Sequence, residues 1–110
     1  MVAEGPDHTS GPSAAAARDL IATEVERVAR RWQQLPLGHA LSASPAVLDL
    51  VQRIADEVAA ARGWPTRPVP DLGPAVLIDQ LQVMLFDHAE AGLDPDPLAE
   101  RMTALRRELP

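Results

Sequence analysis

The chain has 110 residues, a net charge of −6 and no cysteine. That length accommodates one hydrophobic core rather than two, and the missing thiols exclude disulfide staples and cysteine metal sites, which favours a cytoplasmic protein. Hydrophobic residues make up 46% and charged residues 24%, the balance of a folded globule and not of a disordered chain. All ten basic residues are arginine and lysine is absent, as GC-rich codons would produce, so a high-GC bacterium is the expected source.

Residues 1–13, MVAEGPDHTSGPS, have no basic stretch followed by an apolar one and so do not resemble a secretory signal. Residues 1–12 are expected to be a disordered tail ahead of a single helical domain over 13–110. Ser13 is placed to cap a first helix over 13–34, in which Ala14, Ala17, Ile21, Val25, Val28, Trp32 and Leu35 recur at three- and four-residue steps. Acidic side chains lie early and Arg30 and Arg31 late, which suits the helix dipole, and Glu26 and Arg30 form an i,i+4 pair. Pro36 is expected to stop it. The connector LPLGHALSAS follows, and Ser44-Pro45 reads as cap and first residue of a second helix over 45–62. Its seam is Val47, Val51, Ile54, Val58 and Ala61, with Leu50 beside it and Gly63 as the stop.

Residues 63–73, GWPTRPVPDLG, hold three prolines and favour an extended path. At roughly 3.1 Å per residue such a segment reaches about 34 Å, far enough to return along the second helix and leave helices two and three parallel. Trp64, Val69 and Leu72 are its expected anchors. The third helix opens at Gly73-Pro74 and closes at Gly92. Leu77, Ile78, Leu81, Met84, Leu85, His88 and Ala89 share one arc of it, yet Val76, Val83 and Phe86 lie on or beside the opposite, acidic stripe. The segment is therefore expected either at the bundle centre or with its back buried against another chain. Were that face buried, Asp79 would need a partner such as Arg53 or Arg67. Asp96 and Pro97 are the expected cap and first residue of a fourth helix carrying Leu98, Met102, Leu105 and Leu109. No strand-like alternation competes. The expected fold is all-α, a four-helix bundle-like domain with a long Pro-rich connector between helices two and three.

Chemistry is sparse. No Glu-x-x-His or His-Glu-x-x-His occurs, no Gly-x-Ser-x-Gly and no phosphate-binding Gly-rich loop. No catalytic, cofactor-binding or metal-binding residue is assigned, and a non-enzymatic protein without a cofactor is the expectation. Arg27, Arg30 and Arg31 make a cationic patch, but the net charge and 3% aromatic content argue against nucleic acid, and no run is apolar enough to span a membrane. Pro65 to Pro68 matches a P-x-x-P pattern, as Pro-rich connectors do by chance. The preferred function is a protein-interaction module, a homodimer or an adaptor for another helical protein, working through Val76, Val83 and Phe86. Two other arrangements compete. In one the 63–73 connector covers that strip within the same chain; in the other a small-molecule pocket forms around Trp32, Met84 and His88.

Overall fold

The computed structural model describes residues 12–110, so the expected tail lies outside the described residues except for Pro12, which opens the first helix. The described residues form four helices and no strand: α1 (Pro12–Gln34), α2 (Leu37–Arg62), α3 (Pro74–Glu90) and α4 (Pro95–Glu108). The all-α, bundle-like architecture with the long connector between α2 and α3 is thus the observed one.

The helices associate most closely as α1 with α4 and α2 with α3. Side-chain partners give their directions. Arg106 reaches Glu24 and Arg31 reaches Pro110, so α1 and α4 run parallel. The C-terminal half of α2 meets that of α3, where Glu57 lies 4.0 Å from His88, so these also run parallel. Trp32 Nε1, at the end of α1, donates to the Pro74 carbonyl at the start of α3 (2.9 Å), which sets the two pairs antiparallel.

The connector makes this arrangement possible by the expected route. It returns alongside α2, and the Gln52 side-chain amide holds it from both sides: Oε1 accepts from Val69 N (2.7 Å) and Nε2 donates to Arg67 O (3.0 Å). Gln80 Nε2 on α3 donates to Pro70 O (3.0 Å). Of the three expected anchors only Val69 packs on the core. Trp64 and Leu72 are exposed, Trp64 with the Arg62 guanidinium 5.4 Å over its ring.

The core joins Val28 and Trp32 of α1, Val47, Leu50, Val51, Ile54 and Val58 of α2, Leu77, Ile78 and Leu81 of α3, and Leu98, Met102 and Leu105 of α4. These are the expected seams, although Ala61 and Ala89 face outward. Three boundaries differ from expectation. α1 already includes Pro12, so Ser13 lies within the helix and is not its cap. α2 begins eight residues before Pro45, at Leu37, and carries that proline in its interior. The proline deprives Leu41 of its helical N–H partner, but Leu41 faces solvent and Ala40 is buried against the core, so tertiary contact outweighs the local break. Ser44 is then no cap; its Oγ donates to Ala40 O at 2.7 Å. α4 starts one Asp-Pro pair early, capped by Asp94, whose Oδ1 accepts from Asp96 N (3.1 Å), because Pro95 is buried in the bundle while Pro97 is exposed.

Candidate functional site

α3 does not sit at the centre of the bundle. It packs closely on α2, only lightly on α1, and turns its outer face to water. Val83 is 58% and Phe86 63% exposed, while Val76 is half-buried at the N-terminal end. The connector, held to Gln52 of α2 and Gln80 of α3, leaves Val83 and Phe86 uncovered, so it does not shield the whole strip. Asp79 projects into solvent with them and needs no buried partner.

Phe86 stands at the rim of an apolar groove of about 310 Å³ between α1 and α3, floored by the start of α4. Ile21, Ala22 and Val25 form one wall, Leu85 and Ala89 the other, and Leu93, Pro95 and Leu98 the floor. Arg18 and His88 are the ionisable side chains among the lining residues. The groove lies along the α1–α3 seam, where contact is sparse because α1 packs chiefly on α4 and α3 on α2.

His88 is 4% exposed. Burial lowers its pKa below that of a free imidazole; Glu57, at 4.0 Å, and Asp94 pull it back up, whereas Arg101 lowers it further. The Glu57 carboxylate is taken up by Arg101, whose guanidinium donates to Oε2 at 3.0 Å. Desolvation of the buried ring is the largest of these effects and favours its neutral form.

The predicted pocket of Trp32, Met84 and His88 is not assembled. Trp32 is tied to Pro74, fourteen residues before His88, which on a helix is about 21 Å away. Met84 faces a separate cleft toward Trp64, Pro65 and Arg67. Only His88 lines the α1–α3 groove. Nothing in α1 marks Ile21 and Val25 as groove walls, since their spacing is that of ordinary core residues.

A second feature was open to sequence reasoning and missed. Glu24 lies three residues after Ile21 and four before Val28, on the core face, and it is 1% exposed. Arg106 Nε donates to its Oε1 at 2.5 Å and the Arg27 guanidinium stands 3.5 Å away. Burial acts to raise its pKa, but the hydrogen bonds from Arg106 and Thr103 and the charges of Arg106 and Arg27 prevail and hold it below the usual carboxylate range. The expected Glu26–Arg30 pair is not formed.

Among the described residues no group of three His, Asp or Glu is placed to hold a metal ion, and no helix is long and apolar enough to cross a membrane. Comparison of the chain with protein-family models, curated proteins and solved structures gives no match.

Proposed function

We propose that this chain is a non-enzymatic, cytoplasmic interaction module that pairs with a second copy of itself through the outer ridge of α3 and the groove beside it. The observation that carries the proposal is the exposure of Val83 and Phe86, one turn apart on α3, with Phe86 bordering an apolar groove. Full burial of each such side chain is worth roughly 1.5–3 kcal/mol, and a ridge that borders its own complementary groove suits an isologous contact.

Charge selects the occupant and the symmetry. α3 carries Asp79, Asp87 and Glu90 and no arginine, so a two-fold that stacks α3 on α3 opposes like charges. A two-fold running along the groove instead lays α3 over α1 of the second copy. Phe86 then enters the other groove, and Glu90 comes level with Arg18 of the second copy, since Arg18 and Ala89 line the same end.

Light scattering of the purified chain tests this. The expected mass is twice the 11.8 kDa of one chain, falling to one chain in the Val83→Gln/Phe86→Gln variant with helical circular dichroism unchanged. A wild-type monomer, or a variant that still dimerises, overturns the proposal. A second reading is a small apolar ligand in the same groove, favoured by its apolar lining and the buried imidazole of His88. In native mass spectra that reading calls for a monomer carrying bound mass.

A further inference from the structure

At the opposite end of α1 from the groove's Arg18, the structure draws arginines from two helices into one cleft. Arg27, Arg30 and Arg31 of α1 and Arg106 of α4, with Gln34 and Leu109, line a depression of about 290 Å³. We propose that this cleft is a binding site for a small, multiply charged phosphoryl anion, of which inorganic phosphate and pyrophosphate are the simplest members.

Three observations carry the assignment. First, three of the four guanidiniums are held in place. Arg106 and Arg27 share the buried carboxylate of Glu24, and Arg31 Nε donates to Pro110 O at 2.6 Å. Ordering these long side chains in advance removes much of the entropy that anion capture by arginine otherwise loses. Second, Arg30 is exposed and, among the described residues, has no hydrogen-bond or ion-pair partner, which leaves its planar donors for a ligand. Third, the charge balance is positive. The lining itself holds four arginines and no acidic side chain, and the C-termini of α1 and α4, about half a negative charge each, together with the Glu24 carboxylate behind it offset only part of that charge.

The geometry also selects the ligand class. A carboxylate is saturated by one bidentate arginine, whereas a phosphoryl group presents three oxygens to several guanidiniums at once. The rest of the chain is acidic enough to bring the net charge to −6. An extended polyanion or an anionic membrane would meet that repulsion across its whole length, while a small anion inside the cleft feels chiefly charges within the screening length of about 10 Å.

The test is a pyrophosphate titration of the full-length, isotope-labelled chain at fixed ionic strength, followed by amide chemical shifts. Saturable shifts are expected at residues 27–34 and 106–110. Arg30→Gln, a solvent-facing change, is expected to weaken binding about tenfold through the loss of one charge-assisted contact, with Arg53→Gln on α2 as an unaltered control. No saturation beyond a chloride control, shifts centred elsewhere, or unchanged affinity in Arg30→Gln overturns the site. Sedimentation with phosphatidylserine vesicles while pyrophosphate moves no amide also overturns it, in favour of a membrane surface.

Discussion

Two buried titratable side chains link single residues to stability, and they act in different pH windows. His88 has a folded pKa below the 6.5 of a free imidazole, chiefly because it is buried; Glu57, Arg101 and Asp94 act on it as well, and Arg18 stands across the groove. The unfolded chain thus binds this proton more readily, and stability is full above pH 6.5 and declines as pH falls through that value. Glu24, with a folded pKa below 4.5, adds a later loss that begins only below that value and proceeds as pH falls through the folded pKa. Urea midpoints about one unit above and below pH 6.5 should therefore differ for the wild type and differ less for His88→Gln. An equal slope in the variant would remove His88 from the account. Sequence spacing put His88 in the core arc but could not supply the sign of its shift, which is set by how deeply the packed helices bury the ring and is only modulated by Glu57, Arg101 and Asp94. Glu24 was legible by spacing alone; its charge obscured its position.

The helices themselves were readable because capping, proline placement and apolar spacing agree along most of the chain. α3 begins at Gly73-Pro74 as the sequence implies, and α2 ends at Gly63 with φ 70°, a left-handed conformation that glycine adopts without strain. The failures fall where a local signal occurs twice or is overridden. Asp-Pro appears at both 94–95 and 96–97, and burial of Pro95 decides between them. At Pro45 the helix persists despite a residue that costs about 3 kcal/mol relative to alanine in a helix interior. Pro45→Ala should raise stability by about 1–2 kcal/mol. The gain is less than the full helix-interior penalty because Leu41 is on the solvent side of the helix, where its carbonyl needs no protein partner, and because the unfolded chain regains the freedom that proline removes. The urea midpoint at constant helix content checks this, and a fall in midpoint would mean that α2 depends on the bend. The groove was not readable, since it arises from how the helices pair rather than from any one element.

For the molecule as a whole, the bare ridge of α3 makes oligomeric state and thermal stability one question. If two copies bury Phe86 against each other, the melting temperature rises with protein concentration, because association draws on the folded form alone. The Val83→Gln/Phe86→Gln variant should melt at a temperature independent of concentration. A wild type with the same indifference would place the interface elsewhere. The arginine cleft lies at the far end of α1, so substitutions there should leave this concentration dependence unaltered.

The connector's grip on Gln52 bears on all of this. Val69 donates its N–H to Gln52 while both sequence neighbours, Pro68 and Pro70, have no N–H to offer. Sliding the strap by one residue in either direction would set a proline against the waiting oxygen and break the bond. The segment thus acts as a ratchet with a single tooth, which sets the height of α3 along α2 and fixes the level at which Phe86 faces α1.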